Sequence, residues 1–208
     1  CSCNKEESPQ KKYPTKTLNV YNWGEYISDG SEGSLDVNKE FTKKYGIKVN
    51  YTMFESNENM YNKLKSGGAN YDVVIPSDYM IERMINEDLL APLDYSNIKN
   101  VGNILPEFQN SQYDPDNNGD GYNDYSVPYL YGMIGIIYNT SMVDEADTGS
   151  WGLMWNEKYS GNILQFNNSR DAFGSAQYLT GNVDLVNSDN EADWRAALER
   201  LKEQKPIL

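Results

Sequence analysis

Three short segments of this chain crowd acidic, amide and aromatic side chains at points where the backbone must turn. The first is Tyr21-Asn22-Trp23-Gly24-Glu25-Tyr26, at the end of an alternating stretch. It sets two rings, Trp23 and Tyr26, around the carboxylate of Glu25. Gly24 lets the backbone turn sharply or approach a ligand closely. The second is Ile75-Pro76-Ser77-Asp78-Tyr79, which offers a hydroxyl, a carboxylate and a ring. The third is Asn167-Asn168-Ser169-Arg170-Asp171, where Asn168 and Asp171 can face one crevice. Such groups suit an organic cation. A charge-assisted hydrogen bond to an ammonium contributes about 1.5–3 kcal/mol, and a desolvated cation–π contact about 2 kcal/mol. Each segment also has a plainer reading. Trp23 can be a core residue beside a solvated Glu25, and Ser77, Asp78 or Asn168 can simply cap the helix that follows.

A fourth segment, running from Asp114 to Asp124, is rich in Asp, Asn and Gly. From Asp116 it fits the start of a calcium loop. Asp116, Asn118 and Asp120 supply oxygens, Gly121 the turn, Tyr122 a carbonyl, and Asp124 a further carboxylate. The twelfth position is Val127, where a full loop of this kind carries a bidentate Glu. An acidic surface turn is the alternative.

The elements that must position these segments follow from periodicity. Leu18–Trp23 and Ile47–Phe54 alternate as strands. Between them Val37–Tyr45 is a helix, with Phe41 and Tyr45 at helical spacing and Gly46 as its stop. A second helix starts at a Ser56 or Asn57 cap and runs to about Ser66, ended by Gly67-Gly68. Tyr71–Ile75 is an apolar run fitting a buried parallel strand, closed by Pro76. Tyr79–Glu87 is a third helix. This is β-α-β-α-β, which implies a parallel sheet with crossover helices. In such sheets ligands bind outside the carboxyl ends of the strands, where the first two turns lie. Further on, Tyr125–Asn139 predicts one or two strands, Trp151–Tyr159 a short helix, Asn162–Phe166 a strand and Arg170–Leu179 a helix. Glu191–Lys202 is a helix capped by Asp189 or Asn190, with Trp194, Leu198 and Leu201 on one face.

Composition excludes several functions. Histidine is absent, which removes Ser-His-Asp and Cys-His catalysis and the usual zinc and iron sites. A formal net charge of -13 over 208 residues makes nucleic acid and anionic membrane surfaces poor partners. No apolar run of about 18 residues is present. The 17 tyrosines and 4 tryptophans suit a surface that grips through amphipathic rings, or simply a core. The two cysteines, Cys1 and Cys3, are too close to staple a fold. A chain that opens on Cys, followed by the Lys-, Glu-, Ser- and Pro-containing stretch from Ser2 to Lys16, reads as a lipoprotein: Cys1 carries the lipid and residues 1–16 form a tether.

The order and spacing of these segments resemble the periplasmic spermidine/putrescine-binding proteins of ABC importers. The resemblance covers roughly Leu18 to Leu201. It is carried by Val20-Tyr21-Asn22-Trp23-Gly24-Glu25-Tyr26, Glu55-Ser56-Asn57-Glu58, Tyr71-Asp72-Val73-Val74-Ile75-Pro76-Ser77, Val127-Pro128-Tyr129 and Ser169-Arg170-Asp171. It implies an α/β, periplasmic-binding-protein-like, two-lobed clamp that closes on a polyamine and delivers it to a membrane permease. Residues 17–131 form a nearly complete N-terminal lobe, with a first hinge crossing near Tyr125 to Gly132. Residues 132–208 form part of the second lobe, the chain being truncated at its C-terminus relative to the family. Carried over residue by residue, Glu25 is an ammonium ligand, and Trp23 and Tyr26 line the methylene chain. Ser77 and Tyr79 offer a hydroxyl and another ring. At the third turn the family has two carboxylates; here Asn168 replaces the first and Asp171 keeps its charge.

The expected protein is thus an extracytoplasmic, lipid-anchored monomer that binds putrescine or spermidine. It partners with ABC permease subunits and needs no cofactor beyond any calcium held at residues 116–124. It is not an enzyme. The competing readings are a related clamp for an amino acid, sugar or iron, a glycosidase using Glu25 and Asp171, and a surface lipoprotein with a structural role.

Overall fold

The computed structural model describes residues 15–179 and 188–208. Cys1, and all of the 1–16 tether except Thr15 and Lys16, lie outside the described residues. The described chain divides into two compact units between Tyr131 and Gly132.

The first unit is built on a three-stranded parallel sheet of order β2-β1-β3. β1 (Thr17–Trp23) lies in the middle. It pairs with β2 (Lys48–Phe54) from Thr17↔Lys48 to Trp23↔Phe54. On its other side it pairs with β3 (Val73–Val74). The expected five-residue third strand shrinks to two, although hydrogen bonds from Asp72 N to Asn19 O and from Ile75 N to Tyr21 O extend the contact on both sides. Among the described residues β3 is an edge, so Val73 is exposed instead of covered on both faces.

Each crossover helix starts and stops where local chemistry dictates. α1 (Val37–Tyr45) is capped by the Asp36 side chain, which accepts from Lys39 N, and ends at Gly46 with φ 69°. That left-handed turn is open to glycine at little cost. α2 (Asn57–Lys65) is capped by Ser56, which accepts from Asn59 N. α3 (Asp78–Asn86) turns Met80, Ile81 and Met84 inward. These join Tyr21, Phe54, Met60 and Tyr61 as buried apolar residues, with Trp23, Tyr71, Val74 and Tyr79 packed at the margin. Full burial of each such side chain contributes about 1.5–3 kcal/mol. Tyr21 and Tyr71 stack at 4.3 Å, with the Lys63 ammonium 4.9 Å from the Tyr21 ring centre.

In the second unit, α4 (Ser169–Tyr178) and α5 (Glu191–Gln204) pack together through Phe173 and Trp194, whose rings lie 5.7 Å apart. The cap of α5 is Asn190, accepting from Ala192 N. Its inward face is Trp194, Ala197, Leu201 and Gln204, and Leu198 is exposed. The expected apolar stripe is therefore rotated, because the small Ala197 takes the close-packed position. Trp151–Tyr159 is not an α-helix but two 3-10 turns, Trp151–Trp155 and Glu157–Tyr159. Ser150 and Asn156 cap them in succession, and the second cap interrupts any longer helix.

Two predicted strands do not form. Residues 126–139 and 163–166 carry no ladder, since a strand exists only where a neighbour supplies hydrogen bonds, and no described segment pairs with them. Several of their apolar side chains are uncovered: Met133 is 96% exposed, Ile137 100% and Leu164 93%, whereas Ile163 is buried.

Candidate functional site

The parallel register brings the ends of all three strands to one edge of the first unit. Trp23 stands opposite Phe54, and Val74 opposite Tyr21. The turns after β1, β2 and β3 therefore leave the sheet side by side, as the crevice argument requires.

After β1, Trp23 packs its ring on Phe54 at 4.6 Å and lies 6.1 Å from Tyr26. Trp23 is half-buried, whereas Gly24, Glu25 and Tyr26 are exposed. Glu25 accepts no hydrogen bond from the described residues. The turn is held from beneath. The fully buried Asn22 accepts from Trp23 N at 2.8 Å, and the Tyr129 hydroxyl donates to the carbonyl of Tyr26. Tyr51 points its hydroxyl at the Trp23 carbonyl at 3.5 Å, and burial pushes its phenol above the usual range. Gly24 does not supply a left-handed turn here. Its φ lies outside that region, and an added Cβ would sit 3.8 Å from Met53 Sδ, an ordinary contact. The turn itself has no need of glycine.

After β3, Ser77 occupies the cap position of α3 without making the side-chain cap bond. Its hydroxyl instead accepts from Asn57 Nδ2 at 3.0 Å, and the Tyr79 hydroxyl accepts from the same nitrogen at 2.7 Å. Asp78 is exposed, and its carboxylate accepts from Tyr79 N at 2.7 Å, so it serves the helix start. Trp23, Tyr26, Glu25, Ser77 and Tyr79 thus belong to neighbouring turns of one sheet edge.

In the second unit, Asn168 is the cap of α4 and its Oδ1 accepts from Arg170 N and Asp171 N. The plainer reading of Asn168 therefore accounts for its carbonyl oxygen. Asp171 is different. It is half-buried in the first turn of α4, and no described group donates to its carboxylate. Burial raises its pKa above the usual value. It is a partly buried carboxylate without a partner among the described residues, an arrangement that invites a cation.

In the acidic loop, Asp116 accepts from the backbone N–H of Gly119, Asp120 and Gly121. Asn118 Oδ1 accepts from Asp120 N, and Asp120 Oδ1 from Tyr122 N. Asp124 Oδ2 accepts from Asn117, while its Oδ1 is buried with no partner among the described residues. Among the described residues no three His, Cys, Asp or Glu side chains converge as a metal set.

A parallel β-α-β-α-β lobe with aromatic and acidic turns at its strand ends is the architecture of a periplasmic solute-binding protein. The chain belongs to the family described as bacterial extracellular solute-binding proteins, which matches residues 37–206. The spermidine/putrescine-binding periplasmic protein of Salmonella typhimurium is 37% identical over 192 residues, covering 91% of this chain and 51% of its own length. A solved spermidine/putrescine ABC transporter protein from Listeria monocytogenes superposes with a TM-score of 0.79 at 35% identity, over 93% of this chain and 56% of that one. The TpPotD lipoprotein of Treponema pallidum superposes with a TM-score of 0.77 at 29% identity, over 92% of this chain and 56% of that one. The chain spans about half the length of the curated relatives it matches.

Proposed function

We propose that this chain captures a polyamine, putrescine or spermidine, as the solute-binding component of an ABC importer, and hands it to a membrane permease without altering it. The observation that carries the reading is the half-buried Asp171 carboxylate on α4, which has no partner among the described residues. Support comes also from the aromatic and acidic turns of the first unit and from what the relatives are named for. Glu25 and Asp171 take ammonium groups, and Trp23, Tyr26 and Tyr79 flank methylenes. Isothermal titration with putrescine and spermidine tests this. Saturable binding, with the ligand recovered unchanged, supports it. Binding of an amino acid or sugar in preference, or turnover of a glycoside, sinks it.

A lipid on Cys1 and an extracytoplasmic, monomeric protein complete the proposal; one relative named a lipoprotein supports the anchor. Metabolic labelling with a radiolabelled fatty acid, abolished by Cys1→Ser, checks it.

Calcium at residues 116–124 is proposed as a weak accessory site, on the strength of the buried Asp124 Oδ1, which has no partner among the described residues. Asp116, Asn118, Asp120 and the Tyr122 carbonyl are the other donors. Terbium luminescence that saturates in the wild type and is lost in Asp124→Asn supports it. Equal signals from the two proteins remove it.

A further inference from the structure

Asn57 is 0% exposed, although it opens α2 and the cap of that helix is Ser56. A wholly buried amide is kept because its hydrogen bonds are made. Its Oδ1 accepts the backbone N–H of Ser77 at 3.1 Å. A backbone N–H only donates, so chemistry fixes which end of this amide is oxygen. The nitrogen then faces two hydroxyls, Ser77 at 3.0 Å and Tyr79 at 2.7 Å. An amide nitrogen only donates, so both hydroxyls accept from it. The three bonds tie the turn after β2 to the turn after β3.

The hold on Ser77 is informative. A serine at a helix start normally turns its oxygen onto the helix's own free N–H groups. Ser77 occupies that place in α3 and does not do so. Its oxygen is held by Asn57 instead, beside that of Tyr79. A hydroxyl that accepts one hydrogen bond is polarised into a better donor through its own proton.

We propose that Asn57 is a positioning residue of the ligand site: it touches no ligand itself, and fixes the orientation and polarity of the Ser77 and Tyr79 hydroxyls. This rests on the polyamine reading above for its functional consequence, and on the geometry alone for the hold on the two hydroxyls. It also assigns a job to a residue that a cap reading of Ser56-Asn57 leaves idle.

The test has two arms. The first measures putrescine affinity in Asn57→Ala, in Ser77→Ala/Tyr79→Phe and in the triple variant. If Asn57 acts through the hydroxyls, Asn57→Ala weakens binding about tenfold or more in the wild type. It changes affinity less than about twofold where both hydroxyls are already gone. An equal loss in both backgrounds, or no loss, overturns the proposal. The second arm needs no ligand. In protein labelled at tyrosine Cζ, the Tyr79 resonance shifts in Asn57→Asp, which keeps the shape and the Ser77 N–H bond but replaces the donor with an acceptor. It stays in place in the exposed control Asn59→Asp. An unmoved Tyr79 resonance in Asn57→Asp overturns the proposal. A wild type that binds no polyamine defeats the functional reading, and the resonance arm then decides the role of Asn57 by itself.

Discussion

Replacing Asp171 by Asn should move two properties of the protein in opposite directions. In the empty protein this carboxylate sits in the first turn of α4, where a helix dipole favours negative charge by about 0.3–1 kcal/mol. Burial opposes it, and the raised pKa shows that burial prevails. No described group donates to the carboxylate, so the substitution breaks no bond with a described residue. Removing the charge should therefore stabilise the empty protein by up to about 1 kcal/mol, a rise in Tm of at most about 4 °C for a chain of this size. Ligand binding should suffer. Loss of a charge-assisted bond to an ammonium costs about 1.5–3 kcal/mol, which is roughly ten- to hundredfold in Kd.

The pH dependence has a definite sign. Asp171 in the folded protein has a pKa raised above its unfolded value, so its contribution to stability is fully present below the unfolded value. That contribution is lost as pH rises through the folded value. The gap in Tm between Asp171→Asn and the wild type should open over that interval and stay constant above it. Polyamine affinity of the wild type should rise over the same interval, because only the ionised carboxylate holds an ammonium. Differential scanning fluorimetry and calorimetric titration across the acid range measure both. A variant that loses stability and affinity together would show that Asp171 is a structural residue, and an unchanged Kd would show that it meets no ligand.

Further outcomes are expected. Glu25→Gln should weaken polyamine binding roughly tenfold, whereas Glu32→Gln, an exposed change outside the candidate site, should leave Kd unaltered; equal effects in titration would remove Glu25 from the site. Glu87, hydrogen-bonded by Lys65, Tyr61 and Arg83, has its pKa lowered from 4.5 to about 2. The stability it contributes is present above the unfolded value and lost as pH falls from about 4.5 towards about 2. Acid unfolding of Glu87→Gln, followed by circular dichroism, should lack that component. Met60 is fully buried at the centre of the first unit, and Met60→Ala should cost about 2–5 kcal/mol in urea unfolding. A cost below 1 kcal/mol would mean that the core collapses around the gap.

Much of the first unit was legible because each of its elements is marked locally. Gly46 ends α1, Ser56 starts α2 and Pro76 closes the third strand, and alternation betrays β1 and β2. What failed was non-local. The apolar, aromatic stretch Tyr125–Asn139 has the composition of a strand, but pairing depends on a neighbour that composition does not announce. The same holds for Asn162–Phe166, where Ile163 is buried and the residues on either side are exposed. In the candidate site, the ring and carboxylate of Trp23 and Glu25 were readable from their turn. Asn57 was not, because a Ser-Asn pair before a helix reads as a choice of caps. Only the meeting of two turns separated by twenty residues reveals that the amide is spoken for elsewhere. Gly24 runs the other way: a glycine at a strand end suggests a sharp turn or a close approach to a ligand, and the backbone there takes no left-handed turn.

The central position of β1 also sets the timetable on which the first unit comes into being. β1 has no partner until β2 is complete at Phe54, and the sheet is not closed until Val74 arrives. At roughly 5–20 residues per second of synthesis, the interval from Thr17 to Val74 lasts on the order of 3–11 s. Until Phe54 emerges the strand bearing Tyr21 and Trp23 cannot pair at all, and until Val74 emerges one of its two edges stays open; parallel pairing over such separations is slow in its own right. The segment that later carries the front turn of the candidate site is thus the one most exposed to wrong partners while the chain is being made.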